Sequence, residues 1–286
     1  MSKRADITYE QDTAAAFNKQ SVVFDGIYSA NTIVQYKRKR VRDHLDKFIK
    51  PQSKILELNA GTGEDAVYFA QRGHHVHATD ISPGMKKVLS QKIETASLAD
   101  KVTFELCSFT ELEKLKDKGP YDMIFSNFAG LNCTKELEKV LRSFSGLLNP
   151  GGLITLVLLP NFCLWEASLF LKGKFKTAFR RFFSGGGRKA RVEGEYFRCW
   201  YYNPALIKKN LETEFDMLAL EGLCTLVPPS YIENFPEKHP KTFNALKCKE
   251  DKWKAKWPWR SIGDYYIISF KKKSNQNMRD DSSGTR

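Results

Sequence analysis

The chain has 286 residues, 42% hydrophobic and 28% charged, with a formal net charge of +13. That is ordinary globular composition and enough chain to bury a substantial core. Its longest apolar stretch, LITLVLL at 153–159, falls short of the ~20 residues that span a bilayer. The N-terminal MSKRADITYEQD has no apolar signal core, and the six cysteines show neither CxxC nor CxH spacing, so a secretory leader, a disulfide frame and a zinc site are not expected. Reduced thiols and a cytoplasmic setting follow.

In chain order, residues 32–50 form the first clear pattern, an amphipathic helix with Val34, Val41, Leu45 and Phe48 on one face. Strand-like and helix-like signals then alternate, as in a parallel sheet with crossover helices. KILEL (54–58) predicts a strand, EDAVYFAQR (64–72) a helix closed by Gly73, and VHATD (76–80) a second strand. A helix over 82–96, opened by Ser82 and Pro83, leads to VTFEL (102–106), a short helix over 111–117 and the strand YDMIFSN (121–127). A helix over 135–148 and the turn NPGG feed the apolar run at 153–159. After Pro160 the rhythm breaks, resumes with a helix over 203–212 and a strand region over 215–227, breaks again, and ends on the strand DYYIISFKK (264–272).

The expected organisation is a helical cover (1–50), one Rossmann-like α/β core (51–159, 203–227 and 263–273), lid insertions (160–202 and 228–262) and a disordered tail (274–286). Charge follows this division. The cover carries an excess of +4, residues 160–214 +6, residues 228–262 +4 and residues 271–286 +3, leaving the remainder at −4. All five tryptophans lie in the two insertions.

The turn Asn59-Ala60-Gly61-Thr62-Gly63-Glu64-Asp65 between the first strand and helix selects the ligand. A dinucleotide turn wants a third glycine and a pyrophosphate at the helix start, where this chain has two carboxylates. A triphosphate loop would continue with GK[ST], which is absent. The ligand is therefore nucleoside-like and free of phosphate, and S-adenosylmethionine fits. Asp80, ending the second strand 19 residues after Gly61, suits the two ribose hydroxyls.

Glu57-Leu58-Asn59-Ala60-Gly61-Thr62-Gly63 resembles motif I of the class I S-adenosylmethionine-dependent methyltransferases. The resemblance continues through HATDISPGM (77–85), YDMIFSNFAGLN (121–132) and LLNPGGLITL (147–156), and is nearest to the small-molecule "type 11" group that includes the ubiquinone and menaquinone methyltransferases. It implies a mostly parallel sheet whose last strand is antiparallel. It also implies cofactor roles: Glu57 and the backbone of Asn59, Ala60, Gly61 and Gly63 at the methionine end, and Asp80 at the ribose. Ile81 would pack on adenine with Ser82 and Met85 at its border, Ser126, Asn127 and Phe128 would lie beside the sulfonium, and Tyr28 would close over the cofactor. Two departures stand out. Asn59 replaces the usual first glycine, and Cys107-Ser108-Phe109 lacks the acid that commonly binds the adenine amine, leaving Ser108 or a backbone group of the Ser108-Phe109 run to substitute.

Methyl transfer from a sulfonium needs alignment more than a catalytic group. None of His44, His74, His75, His77 and His239 stands in a spacing that marks a base, although His239 could reach the acceptor side. SNFAGLNCT has no extra carboxylates for a metal-assisted site and lacks the Pro-Pro-aromatic grip of base-methylating enzymes. The expected partner is a hydrophobic or aromatic small molecule. RNA bound by the basic appendages, or a cofactor-binding scaffold without turnover, are the alternatives. In FLKGKFKTAFRRFF (170–183), Leu171, Phe175, Ala178, Phe179 and Phe182 recur at helical spacing among cations, which suits either a lid packed on the core or a segment lying on a membrane.

Overall fold

The computed structural model describes residues 2–182, 185–232 and 234–274; the tail beyond 274 and the side chain of Leu171 lie outside it. Three helices lead the chain: α1 (Ser2–Gln20), α2 (Phe24–Ser29) and α3 (Thr32–Leu45). Asn31 caps α3, its side chain accepting hydrogen bonds from the amides of Ile33 and Val34 at 3.0 Å. This helix stops five residues before the amphipathic pattern does, and Phe48 still packs on the core from the turn that follows.

The core is built from β1 (Lys54–Leu58), α4 (Glu64–Gln71), β2 (His75–Asp80), α5 (Pro83–Thr95), β3 (Val102–Leu106), β4 (Tyr121–Ser126), α6 (Leu137–Leu147) and β5 (Leu148–Leu158). The short helix expected over 111–117 is a 3-10 turn at Phe109–Lys114, started by the Ser108 side chain. The first insertion contains α7 (Leu164–Ser168), α8 (Phe175–Ala178) and a hairpin of β6 (Arg188–Val192) and β7 (Glu195–Cys199) that the composition did not announce. The core resumes with α9 (Pro204–Leu211) and β8 (Phe215–Leu223). The second insertion holds α10 (Phe235–Lys238) and α11 (Pro240–Trp253), and β9 (Tyr265–Lys272) completes the sheet.

The seven-stranded sheet has the order β3-β2-β1-β4-β5-β9-β8, parallel except for β9, which runs antiparallel to both neighbours. Period-two alternation along β1 sends Leu56 and Leu58 into one core layer, with Val140, Phe144 and Ile207. It sends Ile55 into the other, with Val41, Leu45, Phe69 and Leu89. Glu57 shares the Ile55 face, so a carboxylate is buried where α3 and α4 meet the sheet. The strand order reverses between β1 and β4, and a ligand crevice opens at the carboxyl ends of strands at such a point.

Candidate cofactor and acceptor cleft

The loops after β1 and β4 line a cavity of about 370 Å³ at that crevice. Asn59, Gly61 and Gly63 all take positive φ (47°, 57° and 78°), which brings the turn backbone to the cavity wall. A Cβ on Gly61 would meet no neighbouring atom, because that side of the turn is open to the cleft. Gly63 does different work. A Cβ there would lie 2.0 Å from Leu89 Cδ1, so this glycine permits α4 to approach α5.

Asp80 is buried beside Gly61. Its Oδ2 accepts from the Gly61 amide at 2.9 Å and its Oδ1 from the Ser82 amide at 2.9 Å, so the carboxylate ties the glycine turn to the start of α5. Burial raises its pKa, while the amides of Ser82, Gly61 and Ile81 pull it back. Each oxygen keeps lone-pair capacity for a further donor. Glu57 is buried with Oε2 lacking any hydrogen-bond partner. Burial pushes its carboxyl well above the usual carboxylate range, Asp65 adds to the rise, and Arg38 and Arg42 oppose it. An orphaned carboxylate oxygen in a cleft wall is what a ligand ammonium would satisfy.

Asn59 is held by β4. Its Oδ1 accepts from Ser126 Oγ at 2.6 Å and its Nδ2 donates to the Asn127 carbonyl at 3.0 Å. Asn127 in turn donates through Nδ2 to Asp65 at 2.7 Å, and Asp65 also takes Arg42 at 2.9 Å.

Of the residues proposed from sequence, Tyr28, Glu57, Asn59, Ala60, Gly61, Asp80, Ile81, Met85, Phe109, Asn127 and Phe128 line one cavity. Gly63, Ser82, Ser108 and Ser126 stand behind it. Ser82 caps α5 through the Met85 amide at 3.2 Å, and Ser108 Oγ donates to Glu10 on α1 at 3.0 Å, turned away from the adenine region. Cys107, Ile81, Met85 and Phe109 make that end of the wall apolar. No histidine lines the cleft among the described residues; His239 lies against Phe235, with ring centroids 5.2 Å apart.

Sequence reasoning missed Lys37 and Arg38, which lie in the cleft wall with Ser230 and Tyr265. The signal was present. Positions 37 and 38 fall three and four residues after Val34, on the face that continues to Val41. A metal-type grouping of Cys163, Glu166 and Asp264, with ligand atoms within 4.8 Å, lies outside the cleft wall. Its carboxylates are already bonded to Arg181, at 2.6 Å from Glu166 and 2.9 Å from Asp264.

Residues 55–152 match the model of a methyltransferase domain. Over these residues the chain carries a methyltransferase domain. The cofactor of this methyltransferase domain is S-adenosylmethionine, and the residues present fit it: a free carboxylate oxygen on Glu57, the open glycine turn and the Asp80 carboxylate. The chain is 28% identical over 104 residues to the tRNA 5-carboxymethoxyuridine methyltransferase of Escherichia coli K12, covering 36% of this chain and 39% of the relative. It is 29% identical over 157 residues to the demethylmenaquinone methyltransferase of Clavibacter sepedonicus, covering 54% and 60%. It spans less than two thirds of either relative's own length. Among solved structures, the 1,6-didemethyltoxoflavin-N1-methyltransferase of Burkholderia thailandensis, solved with S-adenosylhomocysteine, aligns over 94% of this chain and 91% of that one with a TM-score of 0.55 and 15% identity, a likeness of fold. No helix among the described residues is long and apolar enough to cross a membrane.

Proposed function

We propose that this chain transfers a methyl group from S-adenosylmethionine to an oxygen or nitrogen of a sizeable hydrophobic or aromatic small molecule. The observation that carries this reading is the cleft wall beyond the glycine turn. There Phe17 and Phe24 of the cover, Leu159 after β5, and Val192 and Phe197 of the hairpin enclose an apolar chamber continuous with the cofactor crevice. Such walls favour a ligand that buries apolar surface, at roughly 25 cal/mol per Å² removed from water.

Bound in the crevice, S-adenosylmethionine would supply an activated methyl on cationic sulfur, for displacement by an oxygen or nitrogen of the acceptor with the C–S electron pair left on sulfur and the acceptor's proton passing to the medium once the product is released. The chain's part is alignment and exclusion of water. Glu57 would receive the ammonium and Asp80 the ribose. Asn127 and Phe128 close the end of β4, and α1 with the hairpin roofs the chamber. Tyr265 is in the wall, where burial raises its phenol well above the usual range.

A lipid-like acceptor at a membrane surface is favoured by the first insertion. Gly173, with φ of 70°, breaks the expected helix, and Phe170, Phe175, Phe179 and Phe182 are 43–54% exposed with ring centroids 5.1–6.0 Å apart. Ala178, on the same stretch, is buried, so the segment packs by its small residue and leaves its rings outward.

The test incubates the purified chain with methyl-labelled S-adenosylmethionine and an extract of the source cells. Label in the organic phase is expected. RNase-sensitive label in the aqueous phase would move the acceptor to RNA. Tight cofactor binding with no labelled product would leave a scaffold. Co-sedimentation with vesicles containing anionic lipid, absent with neutral vesicles, is expected if the phenylalanine cluster meets a membrane.

A further inference from the structure

Lys37 is buried, its side chain 4% exposed, yet its ammonium makes one hydrogen bond among the described residues, to Ser230 Oγ at 3.1 Å. An ammonium has three donors, and leaving such a group desolvated with one partner is costly. The nearby acid does not settle the account. Asp264 Oδ2 is 3.8 Å away, beyond hydrogen-bond reach, and Asp264 Oδ1 accepts from Arg181 at 2.9 Å. The rest of the Lys37 environment is aromatic, with the ammonium 4.7 Å from the Tyr265 centroid and 5.7 Å from that of Phe128. Lys37, Ser230, Tyr265 and Phe128 all line the cleft.

The neighbouring cation is differently placed. Arg38 lies 3.9 Å from Asp65, at the glycine-turn end, where it also acts on Glu57. Consecutive residues on α3 thus face two halves of one cavity. Ser230, the partner of Lys37, belongs to the second insertion, which contributes nothing to the glycine turn.

We propose that Lys37, with Ser230, anchors an oxyanion carried by the methyl acceptor, remote from the atom that is methylated, so that the substrate is an amphiphile with an apolar body and a carboxylate or phosphate. This rests on the methyl-transfer reading and names its substrate class. The two free N–H donors of Lys37 and the Ser230 hydroxyl meet the anion, while the phenylalanine-lined chamber takes the body. Among the described residues of the cleft wall, Lys37 and Arg38 are the two cations, so an acceptor anion has no other charged partner on the insertion side.

The test uses the labelled product of the extract reaction and the full-length chain. The product should bind a strong anion exchanger at pH 7. Alkaline phosphatase then separates the sources, a phosphate losing retention and a carboxylate keeping it. Lys37→Met should raise KM for that acceptor more than tenfold, with S-adenosylhomocysteine affinity within twofold of the parent chain, and Lys37→Arg should recover most of the loss. A labelled product that flows through the exchanger uncharged overturns the proposal, independently of any variant. So does a tenfold loss of S-adenosylhomocysteine affinity in Lys37→Met, which would make Lys37 a cofactor ligand. Absence of any labelled product is the separate failure of the methyl-transfer reading itself.

Discussion

Asn59 and Gly130 are a matched pair: a Cβ on Gly130 would lie 2.1 Å from Asn59 Cγ. Asn59 stands where related motifs have glycine, and its amide fills the space between the glycine turn and the residues after β4. Gly130→Ala should therefore destabilise by ~1–3 kcal/mol, as overpacking does. Adding Asn59→Gly should return part of that loss. A double-mutant cycle from denaturant unfolding checks the coupling, and additive effects would mean the contact is not what limits residue 130.

Burial, with Asp65 adding to it, raises the Glu57 carboxyl well above the usual carboxylate range, and a ligand ammonium favours the ionised form. Binding of S-adenosylhomocysteine should release a proton, so affinity should rise with pH until Glu57 ionises in the free chain. Calorimetry in buffers of different ionisation enthalpy measures the release. Glu57→Gln should abolish it; an unchanged release would place the proton elsewhere.

Asp80→Ala should weaken S-adenosylhomocysteine binding more than tenfold, since hydrogen bonds to a charged group are worth ~1.5–3 kcal/mol. The same change frees the Gly61 and Ser82 amides, so a lower melting temperature should accompany it. Unaltered affinity would remove the ribose assignment.

Away from the cleft, Glu221 on β8 is the hub of a buried charge cluster, with His44 at 3.2 Å, Lys47 at 2.8 Å and Arg40 at 3.4 Å. Burial alone would raise its carboxyl, but the His44 imidazole beside it and the hydrogen bond from Lys47 outweigh it and hold the pKa far below the usual range. Its contribution is thus fully present above the ordinary carboxylate pKa and is lost as pH falls toward the depressed value. Glu221→Gln should cost ~3–5 kcal/mol at neutral pH, the scale for breaking a buried pair, and less in acid. Urea titrations at pH 7 and pH 4 compare the two, and an equal loss at both would refute the charge argument.

The order of core elements was legible in the sequence because burial on both faces of a parallel strand writes near-continuous apolar runs, of which LITLVLL is one, alternating with helical patterns. The glycine turn was legible too, since positive φ is a local backbone demand met at residues 59, 61 and 63. Side-chain direction was not. Ser82 and Ser108 look like ligand contacts in a linear motif but spend their hydroxyls capping helical turns. Residues 170–183 show helical spacing in the sequence, yet the first insertion folds as short helical turns and a hairpin, because pairing across residues 188–199 is a long-range choice that composition does not encode.

What the sequence determined by itself is the domain type and the nature of its cofactor, both set by short-range patterns of residues that must sit adjacent in the chain. What only the tertiary structure decided is where the charge goes. The run KRKR at 37–40 counts as surface-like basic excess, but Lys37, Arg38 and Arg40 are buried. Arg38 and Arg40 face the acids Asp65, Glu221 and Glu250, which arrive from other strands and helices of the chain. A charge becomes an interior group when opposite charges from distant segments meet it and offset its desolvation, and that meeting exists only once the sheet has assembled.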